Sequence, residues 1–267
     1  MIIDSHLHLP PKEGRSLEDS KRKLLQELRN QHVDYAILIP DNTPTSEIGS
    51  LDEVLKLVEN ERRLFVMGTI DVQRTGEAHI RKLDSLFRSR KIVAMKIFPG
   101  HDTVHPTDRR LMPVYELCVK YNSPMVIHTG ATSRRPEGAK YNDPKLIIKI
   151  AKAFPDLRIV IAHYFFPRVE YCYEITKPYS SIFFDTSGLA DEEVVQETGL
   201  DRITRVLTST VKERQDNVVF GTDYAMCSIA KHVNLIESLP IERELKNKVF
   251  YENAIKLFNL KVASKGS

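Results

Sequence analysis

Cysteine is scarce in this chain: three among 267 residues, at Cys118, Cys172 and Cys227. An odd number, widely spaced and without a Cys-x-x-Cys pair, suggests no disulfide framework and points to a reducing compartment. No run of apolar residues approaches the ~20 that a membrane-spanning helix needs. No basic stretch leads into an apolar one at the N-terminus, so no leader is read there and the cytoplasm is the expectation. An excess of one charge is missing too, with 39 basic side chains against 36 acidic ones spread along the chain. That balance argues against nucleic acid or a membrane surface as a partner. Low-complexity linkers, repeats and breaks in composition are absent, so residues 1–267 read as one domain.

What remains is an ordinary core-forming composition, 42% hydrophobic and 28% charged. Eight short β-rich runs recur: Ile2–Ser5, Asp34–Ile39, Leu64–Ile70, Ile92–Ile97, Pro124–His128, Arg158–Ala162, Ser181–Asp185 and Asn217–Gly221. Most are nearly continuous in apolar character, as parallel strands buried on both faces are. Helical patterns lie between them at Ser16–Gln31, Leu51–Asn60, His79–Arg88, Met112–Tyr121, Pro144–Phe154 and Asp201–Arg214. The first opens on Ser16 as a cap and carries Leu17, Leu24, Leu25 and Leu28 on one stripe. Eight strands alternating with helices predict an α/β fold, a single-domain (β/α)8 TIM barrel. An open doubly wound sheet is the alternative, but no Gly-x-Gly-x-x-Gly follows the first run.

The first run leads into Asp4-Ser5-His6-Leu7-His8. Residues two apart on a strand share a face, so His6 and His8 project together and make half of a site for Zn²⁺ or a similar ion. Alone, His-x-His is as readily a pair of hydrogen-bonded core histidines. The placement of the others favours a site. Four of the nine histidines, His6, His8, His128 and His163, sit at the ends of predicted strands, while His32, His79, His101, His105 and His232 do not. Lys96 closes the fourth run and Asp223 follows the eighth. A barrel keeps its catalytic groups at those strand ends. The loops after runs four and five, Phe98–Asp108 and Thr129–Asp143, are long for plain connections.

These pieces together resemble the amidohydrolase superfamily, in its amidohydrolase-related branch of metal-dependent hydrolases and nonoxidative decarboxylases. The matching segments are Ile3-Asp4-Ser5-His6-Leu7-His8, Ala94-Met95-Lys96-Ile97-Phe98-Pro99, Pro124–Gly130, Ile161-Ala162-His163 and Phe220-Gly221-Thr222-Asp223-Tyr224. Asn253–Phe258 looks like that branch's closing helix. The resemblance implies that His6, His8, His128 and Asp223 ligate one divalent metal, expected to be Zn²⁺, with Mn²⁺, Fe²⁺ and Co²⁺ as alternatives. It implies His163 beside the metal, polarising substrate or moving protons, and Asp223 as general base as well as ligand. The implied activity is hydrolysis of a small ester, lactone or amide by a metal-activated water. The alternative on the same site is nonoxidative decarboxylation of an aromatic or unsaturated carboxylic acid. Barrels of this resemblance often pair, which leaves a homodimer open. Where the family often has Gly after the sixth-strand histidine, this chain has Tyr164-Phe165-Phe166, which suggests a crowded, aromatic pocket wall.

Further candidates carry competing plain readings. Lys96 is expected to contact substrate, with a structural ion pair, or a carbamylated bridge between two metals, as the other readings. Arg134 and Arg135 suit a bidentate clamp on a substrate carboxylate, against a solvated loop. Tyr164, Phe165 and Tyr224 are expected to line the pocket, against plain packing. Asp4 is read on the face of His6, as a group that orients a ligand histidine. Cys227 reads as a buried thiol, and His101 and His105 as substrate contacts or loop residues.

Overall fold

The structure, a computed structural model, describes residues 1–43, 45–131 and 136–263. Eight strands form one parallel sheet in sequential order: β1 (Ile3–Leu7), β2 (Tyr35–Leu38), β3 (Leu64–Thr69), β4 (Ala94–Ile97), β5 (Met125–Ile127), β6 (Ile159–Ile161), β7 (Ile182–Asp185) and β8 (Val218–Val219). The sheet closes where β1 meets the segment after β8. The Ser5 amide donates to the Phe220 carbonyl at 2.9 Å and the Asp223 amide to the His6 carbonyl at 2.8 Å. Leu7 bridges Tyr224 beside them. This is a (β/α)8 barrel, as the strand–helix alternation predicts.

Helices α1 (Leu17–Asn30), α2 (Leu51–Leu57), α3 (Glu77–Arg88), α4 (Met112–Lys120), α5 (Pro144–Ala153), α6 (Val169–Thr176), α7 (Glu192–Thr198) and α8 (Leu200–Glu213) separate the strands. After β8 come α9 (Ile229–Ser238), α10 (Arg243–Asn247) and α11 (Asn253–Leu257). Ser16 caps α1 through a reciprocal box with Asp19, and Ser20, Leu24 and Leu28, four residues apart, are its buried face. No helix among the described residues is long and apolar enough to cross a membrane.

Period-two alternation along the strands separates two apolar layers. One side chain set, including Ala36, Leu38, Val66, Met95, Ile127, Ile159, Ile161, Ile182 and Phe184, packs outward against the helices. The other, Ile3, Ile37, Ile39, Met67, Ala94, Val126, Val160 and Val219, fills the barrel together with Ala254, Leu257 and Phe258 from the C-terminal helix. That helix region plugs the N-terminal end: Asn259 donates to the carbonyl of Asn122, and the Ala263 amide to the Tyr35 hydroxyl. Two residues beyond the interior positions Ala94, Val126 and Phe183 stand Lys96, His128 and Asp185. The face that is apolar at one end of the barrel is therefore polar at the other. β1 departs from strict alternation. Its register shifts between Asp4 and Leu7, and Ile3 belongs to the inner layer while Leu7 belongs to the outer one. A slip of that kind re-aims side chains beside the barrel mouth.

Candidate active site

Three histidines at the mouth, His6, His8 and His163, each have one ring nitrogen committed to a neighbour, and that decides what the other faces. His6 Nδ1 donates to Asp185 Oδ2 at 2.7 Å, and His8 Nδ1 donates to the Ile39 carbonyl at 2.8 Å. The Nε2 lone pairs of both rings then face Asp223 Oδ1, at 3.3 and 3.5 Å. His163 Nδ1 lies 3.1 Å from the Ser187 carbonyl and 2.9 Å from its hydroxyl. A carbonyl can only accept, so the proton sits on Nδ1 and Nε2 is left with its lone pair. His128 Nε2 is buried and has no hydrogen-bond partner among the described residues. A buried polar atom of that kind asks for an explanation, and a metal ion supplies one.

The donor set fits a divalent cation. One donor atom each from His6, His8 and Asp223 lies within 4.8 Å of the others. Burial holds the pKa values of His6 and His128 below the ordinary imidazole value and brings His163 down to about 4, so all three are neutral at pH 7. Neutral imidazole is the form that binds metal. Burial works against an ionised Asp223, but its contact with His8 and the neighbouring His163 and His6 rings prevail and hold it well below the usual carboxylate range. Two imidazoles, a carboxylate and the orphaned nitrogen of His128 are borderline-hard donors of the kind that Zn²⁺, Mn²⁺, Fe²⁺ and Co²⁺ accept.

Local backbone geometry aims these groups. His163, Tyr164 and Phe165 all adopt left-handed φ angles, 64°, 52° and 56°, and Asp223 does so at 65°. Such angles are costly for residues with a Cβ and occur where surrounding contacts enforce them. Here the turn after β6 swings His163 inward and Tyr164 out. The Tyr164 ring stacks on Phe184 in the outer layer, with centroids 4.7 Å apart. The turn at Asp223 likewise sends its carboxylate in while Tyr224 packs on the outer layer, where Glu27 of α1 adds to burial in raising its pKa. Neither the Tyr164 nor the Tyr224 ring, both expected to contact substrate, joins the histidine cluster: Tyr164 is fully buried and Tyr224 half-buried. Gly221 allows the closure itself, since a Cβ there would stand 2.8 Å from the Cβ of His6.

Lys96 is 1% exposed, with Nζ 3.3 Å from His6 Nε2. Burial brings its pKa down to about 8, against the pull of Asp185 and Asp223. Asp4 does not orient a histidine ring. It accepts from the His6 and Thr222 amides, both at 3.1 Å, and from the Thr222 hydroxyl at 2.6 Å, stapling β1 to the loop after β8. The orienting carboxylate is Asp185, which also accepts from the His163 amide at 3.1 Å and from Ser187. Neither Asp185 nor Ser187 was singled out from sequence. The available signal was that the seventh run ends on a carboxylate. His101 reaches the cluster, its ring 4.5 Å from that of His128, whereas His105 lies against Tyr141. Five imidazoles thus form an arc, His8–His6–His163–His128–His101, with centroid spacings of 5.9, 4.9, 4.8 and 4.5 Å. Arg134 and Arg135 lie outside the described residues. Cys118 and Cys172 are buried free thiols and Cys227 is a half-buried one.

An eight-stranded barrel with converging imidazoles and a carboxylate at its C-terminal strand ends defines a metal-hydrolase class of site. Within that class the chain belongs to the amidohydrolase family, whose model matches residues 3–260, and it is an enzyme of that type. No curated protein matches it in sequence. Among solved structures it is similar to an uncharacterized TIM-barrel protein from Bordetella bronchiseptica, at 20% identity and a TM-score of 0.77, over 97% of this chain and 98% of that one. It is similar to a probable 2-pyrone-4,6-dicarboxylic acid hydrolase from Acinetobacter baumannii with citric acid bound, at 12% identity and 0.71, over 97% and 99%. A third is 5-carboxyvanillate decarboxylase from Novosphingobium aromaticivorans complexed with manganese and 4-hydroxy-3-methoxy-5-nitrobenzoic acid, at 17% and 0.62, over 89% and 80%. At these identities the likeness is one of fold.

Proposed function

We propose that this chain is a metal-dependent hydrolase of a small organic ester, lactone or amide. The observation that carries the reading is the convergence of His6 Nε2 and His8 Nε2 on Asp223 Oδ1, each ring locked by a hydrogen bond at its far nitrogen. His6, His8, His128 and Asp223 would hold one divalent ion, Zn²⁺ in our reading, with Mn²⁺ the nearest alternative. A bound ion supplies Lewis-acid polarisation of a substrate carbonyl and lowers the pKa of water.

The residues divide the remaining work. Asp223, kept ionised, accepts a proton from the attacking water. His163 offers Nε2 as a second acceptor, and its low affinity for protons favours onward transfer to the leaving group. Lys96 places a buried ammonium beside His6, suited to an anionic oxygen of the substrate. That same ammonium favours a second reading, nonoxidative decarboxylation of an aromatic or unsaturated acid, with Lys96 holding the carboxylate. Free, buried thiols support a reducing, cytoplasmic setting, and a homodimer is the assembly we expect.

The test is elemental analysis of protein prepared without tag-borne metal, beside a His6→Ala/His8→Ala variant. One equivalent per chain, lost in the variant, supports the site; none, even after addition of Zn²⁺ or Mn²⁺, removes the mechanism. Screening esters, lactones and aromatic acids with the loaded enzyme then separates the two reactions, since only decarboxylation releases carbon dioxide.

A further inference from the structure

Asn142 is fully buried and uses its whole side-chain amide. Its Nδ2 donates to the Pro99 carbonyl at 2.8 Å and to the Gly130 carbonyl at 3.2 Å, and its Oδ1 accepts from the Gly130 amide at 3.1 Å. Both protons and one acceptor site are satisfied, and only one orientation of the amide allows it. Pro99 belongs to the loop after β4 and Gly130 to the loop after β5, so one side chain joins the two. Around it the backbones touch. A Cβ at Gly100 would stand 2.8 Å from Asn142 Nδ2 and 3.0 Å from the Gly138 carbonyl oxygen, and one at Gly138 would stand 2.8 Å from the Gly100 carbonyl oxygen. Gly100 itself has a φ of 103°, the left-handed region that glycine tolerates.

The geometry of this clasp relates directly to the arc of imidazoles. Pro99 is two residues before His101, and Gly130 is two residues after His128. The segment between Pro99 and His101 is rigid, because the Gly100 amide donates to the Asp102 carbonyl and the Asp102 amide to the Phe98 carbonyl, at 2.9 and 2.8 Å. Asn42 holds the Asp102 carboxylate from the other side at 2.8 Å. On the β5 side, the His128 amide donates to the Ile97 carbonyl at 3.1 Å. The 4.5 Å contact between the two rings is thus bracketed by backbone points that Asn142 fixes to each other.

We infer that Asn142 is a positioning residue for the reaction: its carboxamide sets His101 against His128 and so aims the orphaned Nε2 of His128. The inference rests on the metal-site reading only for its consequence, since the ring pairing exists in metal-free protein. Asn142→Asp keeps the size and the acceptor but loses both donors and sets a carboxylate against two carbonyls; Asn142→Ser, smaller and neutral, is the second variant. Thr176→Ala, which removes a buried hydroxyl on α6, serves as a control for lost stability alone.

Long-range ¹H–¹⁵N spectra of the histidine rings in metal-free protein read the pairing, and Mn²⁺ titration reads its consequence. We expect the His101 and His128 signals to move in both Asn142 variants, with those of His32 and His79 in place and the Mn²⁺ dissociation constant raised about tenfold. Thr176→Ala should lower the Tm without either change. Asn142 variants that lose Tm yet keep the His101 and His128 signals and the wild-type Mn²⁺ affinity would overturn the inference. If the wild type takes up no ion, the metal reading of the function fails, and the histidine spectra still decide on Asn142.

Discussion

Asp185 Oδ2 lies 2.7 Å from His6 Nδ1, and this contact selects the nitrogen that His6 turns toward Asp223 and His8. Without the carboxylate, His6 Nδ1 keeps only the Ser187 hydroxyl at 3.1 Å, which can donate as well as accept and so does not fix the tautomer. Partners of this kind commonly account for 10–100-fold in metal affinity. Asp185→Ala is therefore expected to weaken Zn²⁺ or Mn²⁺ binding by about that factor. The stoichiometry at saturating metal should stay at the wild-type value. Competition against a calibrated chelator measures it.

Asp4 gives metal-free protein a pH dependence of known sign. Burial, the largest influence, raises its pKa to about 7 in spite of the three donors around it. Between the ordinary carboxylate value and about 7 the folded chain therefore binds more protons than the unfolded one. Stability from this group is complete below ~4 and is lost as pH climbs through about 7. Asp4→Asn keeps an acceptor for the two amides and removes the titration. Relative to wild type, the variant should gain roughly 3 kcal/mol between pH 5 and pH 8. Urea unfolding at both pH values tests this, and parallel profiles would refute it.

Much of this architecture is legible in the sequence because buried parallel strands are apolar on both faces, so all eight runs stand out. The strand-end positions of His6, His8, Lys96, His128 and His163 follow from the same pattern. Other features depend on distance in the fold. Asp185 meets His6 across 179 residues, which no local pattern encodes. Asp4 escaped because the register slip in β1 breaks the two-residue rule that placed it with His6. Helix α6 was missed because Val169–Thr176 is short and rich in Tyr, Thr, Val and Cys, residues with weak helix preference. Helix α9 begins six residues after Asp223, behind Ser228, with no Glu or Gln at its third position to complete a capping box.

Tyr164 is an expected substrate contact that the structure places in the outer layer. Its side chain lies behind β7, so Tyr164→Phe should leave KM within about twofold and change stability by less than ~1 kcal/mol. A large rise in KM with an unchanged Tm would return the residue to the pocket wall.

Gly221→Ala should do the opposite. The added methyl would meet the His6 Cβ at 2.8 Å, and either β1 or the loop after β8 has to move. We expect a loss of about 1–3 kcal/mol, as overpacking usually costs, together with weaker metal binding. Calorimetry and elemental analysis on one preparation measure both.

The barrel closes between its first strand and the segment after its last, and the donors meet at that seam: His6 and His8 from one side, Asp223 from the other. During synthesis on the ribosome, the earliest residues of the site must therefore wait for nearly the whole chain to emerge. If these residues hold an ion, its capture is a late event, coincident with completion of the barrel, and an unfinished chain presents no competent centre to cellular metals. Metal uptake by this protein would then report on completed folding as well as on occupancy.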